Sequence, residues 1–147
     1  MKRTTDLLVS IRKILKIDED LMKSVCEMYD LTLIEAKILV FLKNNPSCDT
    51  AADIVEYRML SKGNVSQAVD SLIRKRYLQR RPDENDRRKV HLSLLPAADP
   101  VSAKMQELRS DYEKRLFDGM TEEEHQTFIR LSNKVIENSK KIAERRK

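Results

Sequence analysis

The sequence predicts a mostly α-helical chain of α+β class, with a single β-hairpin set between helices. Three observations lead there. Charged residues make up 36% of the 147 positions, aromatics 5%, and glycine occurs twice, which suits long solvated helices and disfavours a turn-rich sandwich or barrel. Apolar residues recur at helical spacing behind Ser/Thr capping signals over most of the chain. The period switches to two at one place only, between Tyr77 and Leu94.

The elements follow in order. Leu7, Ile11, Ile14, Leu21, Val25 and Met28 follow an alternating four-and-three spacing broken only at Asp18, a coiled-coil-type stripe that needs another helix to cover it. Thr32 and Glu35 form a capping box ahead of Ala36, Ile38, Leu39, Phe41 and Leu42, and Asn44-Asn45-Pro46 stops that helix. A shorter helix is expected from about Thr50 to Glu56. Ser61 N-caps a further helix running to Lys75 with Val65, Val69, Leu72 and Ile73 inward. Tyr77 to Arg81 reads as a strand, and Val90, Leu92 and Leu94 alternate with Lys89, His91 and Ser93 as a half-buried one. The polar run Pro82 to Arg87 turns between them. Helix, turn, helix and hairpin make a winged helix-turn-helix over residues 31–98. Asp99 as N-cap with Pro100 at the first helical position opens a helix through Val101, Met105, Leu108, Tyr112 and Leu116, ended by Gly119. Thr121 and Glu124 cap a last helix with Phe128, Leu131, Val135 and Ile142, ending in a frayed Glu144–Lys147 tail. The terminal helices, 1–30 and 99–147, carry more apolar surface than so small a chain can bury alone. They are expected to form a dimerisation base, each covering the other across a two-fold axis.

Several functional classes drop out. No apolar run approaches a membrane span, and the N-terminal segment has no hydrophobic signal core. Cys26 and Cys48 are too few for a disulfide framework, which favours a reducing, cytoplasmic setting. No phosphate-binding glycine loop or nucleophile-and-base pattern appears, so the chain is not expected to be an enzyme or to need a cofactor. His91 and His125 show no metal-ligand spacing with the cysteines, and no metal is expected. Cys26 has the acidic Glu27 beside it, which opposes thiolate formation, so a structural thiol is the favoured reading over an oxidant sensor.

Charge is concentrated in the predicted reading module. Arg58 to His91 holds ten Lys and Arg against four acids, while the formal net charge of the whole chain is +5. A basic block on a near-neutral body suits a polyanion, although a solvated basic surface has the same composition.

The stretch Leu60-Ser61-Lys62-Gly63-Asn64-Val65-Ser66-Gln67-Ala68-Val69-Asp70-Ser71-Leu72, followed by Arg80-Arg81-Pro82-Asp83-Glu84-Asn85-Asp86-Arg87-Arg88, resembles the multiple-antibiotic-resistance regulator (MarR) family. Helix order and length extend the resemblance over the chain. It implies a homodimeric, cytoplasmic DNA-binding transcription regulator. Such a regulator is commonly a repressor that releases double-stranded DNA when a small phenolic or anionic effector binds. It also implies that the start of the second helix, with Ser61, Lys62, Asn64, Ser66 and Gln67, enters the major groove of a pseudo-palindromic operator. The wing residues Asp86, Arg87, Arg88 and Lys89 then reach the minor groove, with Asp86 bracing Arg88 by an ion pair. Arg74 and Lys75 are the expected phosphate contacts. Met28, Tyr29 and Tyr112 are candidate effector contacts in a crevice beside the helical base, and ordinary core packing competes for them. Two positions depart from the family pattern: Arg76 stands where a glycine commonly ends the reading helix, and Pro96-Ala97-Ala98-Asp99 replaces Thr-x-x-Gly. The competing reading is a winged-helix protein-interaction module with weak or lost DNA reading.

Overall fold

The computed structural model describes residues 2–146. Its elements are α1 (Lys2–Tyr29), α2 (Leu33–Asn44), α3 (Ala51–Arg58), α4 (Lys62–Arg74), β1 (Leu78–Pro82), β2 (Val90–Leu94), α5 (Ala98–Leu116) and α6 (Glu122–Arg145). The chain divides into two compact units after Arg109. Among the described residues, no helix is long and apolar enough to cross a membrane.

The first unit holds the buried core. Met22, Val25 and Cys26 of α1 pack with Ile38, Leu39 and Phe41 of α2, Ile54 of α3, Val65, Val69 and Leu72 of α4, Leu78 and Leu92 of the hairpin, and Val101 and Met105 of α5. On α1 the buried face runs Met22, Val25, Cys26 and, partly buried, Tyr29, not through Met28, which is exposed. A straight helix advances by 3.6 residues per turn, so a strict four-and-three stripe drifts off the face that meets α2. The N-terminal half of α1 leaves Leu7, Leu8, Ile11 and Leu15 exposed. Arg109 grips Asp18 with two parallel hydrogen bonds of 2.7 and 2.9 Å, tying α5 to α1.

Local signals account for most boundaries. Thr32 and Glu35 form the expected capping box, and Thr50 and Asp53 form another that starts α3. The Ser61 hydroxyl accepts from Asn64 N–H at the start of α4. That helix ends in a Schellman motif. Tyr77 N–H donates to Leu72 C=O and Arg76 N–H to Ile73 C=O, with Arg76 itself left-handed at φ 64°. Strands β1 and β2 pair antiparallel with Arg80 opposite Leu92 and Arg81 opposite His91. One start differs from expectation. α5 begins at Ala98, after turns in which Ala98 N–H bonds Leu95 C=O and Asp99 N–H bonds Pro96 C=O. Asp99 is therefore inside the first turn and is not the N-cap. Pro100 is tolerated there because N–H groups in the first turn have no helical partner anyway.

The second unit comprises the end of α5 and all of α6. Gly119 (φ 83°) turns the chain, and Thr121 with Glu124 caps α6 as expected. Phe117 packs against His125 and Phe128, at ring-centroid distances of 4.5 and 5.4 Å. No residue of α6 is buried, and Phe128, Ile129, Leu131, Val135, Ile136 and Ile142 are all exposed. The helix persists to Arg145, well into the expected frayed tail, whose last residue, Lys147, lies outside the described residues.

Candidate nucleic-acid interface

Helix α4 is amphipathic in the sense a reading helix requires. Val65, Ala68, Val69 and Leu72 face the core, while Ser61, Lys62, Asn64, Ser66 and Gln67 are exposed. The burial of one stripe therefore presents five polar side chains at the N-terminal half of the helix, where base edges are read. Gly63 sits among them with open space around the position a Cβ would take, so it leaves the helix free to approach a surface.

The wing turn is organised by two aspartates. Asp83 Oδ2 accepts from the backbone N–H groups of Asn85 and Asp86, at 3.0 and 2.9 Å. Asp86 Oδ1 accepts from Arg88 N–H at 2.9 Å. Asp86 thus holds Arg88 by its backbone, and the expected ion pair to its guanidinium is not formed. In this tight Asx turn the short side chain meets the N–H two residues on before the guanidinium. Arg87, Arg88 and Lys89 are exposed. Arg88 and Lys89 also line a recess of about 360 Å³ with Thr50, Ala51 and Ala52 at the N-terminus of α3. Cationic side chains beside a helix N-terminus suit a phosphate oxygen.

The two expected phosphate contacts are placed differently. Arg74 is exposed near the end of α4. Lys75 donates to Glu35 Oε2 at 2.9 Å and to Asp30 C=O at 2.8 Å. Glu35 is only 3% exposed. Burial pushes its pKa up, but hydrogen bonds from Ser71, Lys75 and Thr32 outweigh that and leave it lowered. Arg80, on β1, is bound at 2.6 Å to Asp70 on α4 and so links the reading helix to the wing.

Sequence reasoning passed over one cluster altogether. His91 on β2 has Asp49 Oδ1 2.6 Å from Nδ1 and Asp83 Oδ1 2.6 Å from Nε2. Hydrogen bonds to Asp49 and Asp83 raise its pKa. The same bond from His91, with those from Asn85 and Asp86 N–H, lowers Asp83 to about 2. The alternation placed His91 on the polar face of the strand, which gave no signal of a partner, and Asp49 lies 42 residues away in sequence. The two carboxylates sit on opposite ring nitrogens and do not converge on one point, and no cluster suited to a metal occurs among the described residues.

Of the other candidates, Met28 is exposed, Tyr29 is half-buried with its hydroxyl 3.4 Å from Pro100 C=O, and Tyr112 is half-buried in the second unit. Cys26 is buried, and burial pushes its thiol pKa up, in keeping with a structural role. Cys48 is half-buried. An apolar pocket of about 460 Å³ opens between α3, α4 and the hairpin, walled by Val55, Val65, Val69, Val90 and Leu92 and rimmed by Lys62, Ser66 and Arg80.

Fold and site together define a class: the winged helix-turn-helix proteins, here with an exposed polar helix beside a cationic wing. Residues 29–89, from the end of α1 through the wing turn, match the MarR family model. No curated protein sequence matches the chain. Among solved structures it is similar to a MarR transcriptional regulator from Methanosarcina mazei Go1, at 19% identity and TM-score 0.76 over 94% of this chain and 99% of that one. It is similar to a MepR mutant from a multidrug resistant S. aureus clinical isolate, at 20% identity and TM-score 0.72 over 92% and 96%. A mutant MarR from E. coli complexed with operator DNA matches at 22% identity and TM-score 0.64 over 90% and 95%. These likenesses establish the fold of the chain.

Proposed function

We propose that the protein is a cytoplasmic, ligand-responsive transcriptional repressor that binds a pseudo-palindromic operator in double-stranded DNA as a homodimer. The observation that carries this reading is the exposed polar half of α4 beside an ordered wing turn that presents Arg87, Arg88 and Lys89. Ser61, Lys62, Asn64, Ser66 and Gln67 read base edges, Asn64 and Gln67 suiting adenine. Arg88, positioned through its backbone by Asp86, enters the minor groove, and Arg74, Arg87 and Lys89 contact phosphates. Lys75 reaches a phosphate only by giving up part of its hold on Glu35. The reading module is residues 31–98, and 1–30 with 99–147 form the dimer base. The exposed apolar faces of α1 and α6 support dimerisation, because monomeric soluble proteins rarely leave such stripes uncovered. MarR regulators are transcription factors rather than enzymes, and we assign no catalytic step to this chain.

The effector site is placed in the pocket between α3, α4 and the hairpin. A flat aromatic or phenolic anion fits its apolar walls and its Lys62 and Arg80 rim, and a ligand there meets the same Lys62 and Ser66 that read DNA. Met28, Tyr29 and Tyr112 are the alternative contacts, and their substitution in a ligand titration separates the two sites.

The test is selection of genomic fragments by the purified protein at about 0.15 M salt. Enrichment of an inverted repeat, weakened by Arg88→Ala, supports the reading. Absence of any enriched sequence, together with binding of a protein partner through the helical base, favours the interaction-module reading.

A further inference from the structure

We propose that His91 is a positioning residue for DNA reading: as an imidazolium bridging Asp49 and Asp83 it holds the wing, and Arg88 with it, against the start of α3, and loss of its proton loosens that hold. The proposal rests on the DNA-reading function above and deepens it.

The argument is geometric. A neutral imidazole has one N–H and one lone pair, whereas an imidazolium has two N–H groups. Both ring nitrogens of His91 lie 2.6 Å from a carboxylate oxygen, so only the doubly protonated ring satisfies both contacts. The ring is 16% exposed, and Asp49 and Asp83 are 21% and 22% exposed, so water is only a partial substitute. The two carboxylates come from different parts of the fold. Asp49 stands just before α3, and its backbone carbonyl also accepts Leu92 N–H at 2.7 Å. Asp83 begins the wing turn. A relay of hydrogen bonds leads outward from the ring to Asp83, from Asp83 to the N–H of Asp86, and from the Asp86 side chain to the N–H of Arg88.

The other charged neighbours do not replace the proton. Arg81, opposite His91 in the hairpin, lies 3.7 Å from Asp49 Oδ2 and reaches that side of the cluster only. Asp53 on α3 is held by the N–H and hydroxyl of Thr50. Cys48, next to Asp49, has its sulfur 3.9 Å from the Ser47 hydroxyl. After deprotonation the ring donates to one carboxylate and turns a lone pair toward the other. The wing then keeps its turn hydrogen bonds, and Leu92 N–H and Arg81 still reach Asp49, but the bridge from Asp83 through the ring to Asp49 is broken and the hold on the start of α3 is weaker. Because hydrogen bonds to Asp49 and Asp83 raise the pKa of His91, the clamp is closed below the ordinary histidine range and opens as pH rises through the raised value.

The experiment measures affinity for the selected operator fragment by fluorescence anisotropy from about pH 6 to 9 at fixed salt, with ring and amide NMR on the same protein. Three chains are compared: wild type, His91→Gln and Asp49→Asn. Wild-type affinity is expected to fall about threefold to tenfold across the range, as the wing-competent fraction falls. Its midpoint should coincide with the ring titration that disappears in His91→Gln. The His91→Gln profile is expected to be flat, and the Asp49→Asn midpoint to move to lower pH, a shift that a merely structural contact does not produce. An equal fall in His91→Gln, an unmoved midpoint in Asp49→Asn, or a neutral ring at pH 7 overturns the proposal. If no fragment is bound at any pH, the DNA-reading function fails and the clamp is judged by NMR alone. Wing amides 83–89 moving in step with the His91 ring then support it, and amides indifferent to that titration overturn it.

Discussion

Arg76 holds a left-handed backbone, φ 64°, at the end of the reading helix. An L side chain costs roughly 1–2 kcal/mol there, and glycine relieves this at the expense of greater freedom in the unfolded chain. Arg76→Gly is therefore expected to stabilise the protein by about 0.5–1 kcal/mol, read as a higher urea midpoint at unchanged slope. A lower midpoint means that the Arg76 side chain itself contributes. Arg88 and Gln67 separate affinity from specificity. Arg88→Ala should weaken binding and reduce the salt slope by about one counterion. Gln67→Ala should cost about 1–3 kcal/mol against one base position and relax selection there. Equal losses on all sequences for Gln67→Ala mean that it is a phosphate contact.

The elements of the reading module are joined by a few long-range polar contacts. Glu35 at the start of α2 is buried and takes hydrogen bonds from Ser71 and Lys75 beyond the middle of α4, at 2.6 and 2.9 Å. Lys75→Met leaves that carboxylate without its cation. Because Lys75 is about one-third exposed, solvent screens part of the loss, and about 1–3 kcal/mol of stability is expected to go at pH 7. The lowered pKa of Glu35 means its contribution is present above the unfolded value and lost as pH falls through the folded one. The gap between Lys75→Met and wild type should therefore narrow below about pH 4, measured by urea unfolding at both pH values. A gap independent of pH assigns the cost to lost packing of the lysine stem. The capping boxes at Thr32 and Thr121 and the Ser61 cap were legible because a cap and its partner lie three residues apart. The start of α5 was not, because Asp99-Pro100 imitates a cap and first helical residue while backbone turns from Leu95 and Pro96 begin the helix two residues earlier, at Ala98.

At the scale of the whole molecule, α6 has no buried residue and exposes Phe128, Leu131, Val135 and Ile142 at helical spacing. Val135 is 66% exposed in the single chain, so Val135→Glu leaves chain folding intact and places a charge in the proposed dimer base. Sedimentation should show the wild type at twice the chain mass and the variant at the chain mass, with operator affinity falling at least about tenfold when two half-sites no longer act together. A variant that stays dimeric moves the interface away from α6. Electrostatics acts at this scale too, since ten basic residues fall between Arg58 and His91. In the proposed DNA-binding role their joint field favours encounter with a polyanion over a long range, while sequence choice is assigned to α4.

What the sequence determined by itself was the local structure. Caps, helical and alternating periodicity, and the polar wing turn all act within a few residues, so α1 to α6, the hairpin and the outward face of α4 could be read before any contact was known. Tertiary structure decided which charged groups meet. Lys75 is paired with Glu35 across 40 residues, His91 with Asp49 across 42, and Arg109 with Asp18 across 91. Such pairs have no spacing rule, because loop closure and core packing bring them together. A lysine expected at phosphate is therefore engaged, and a histidine with no role assigned from sequence joins the wing turn to the segment before α3.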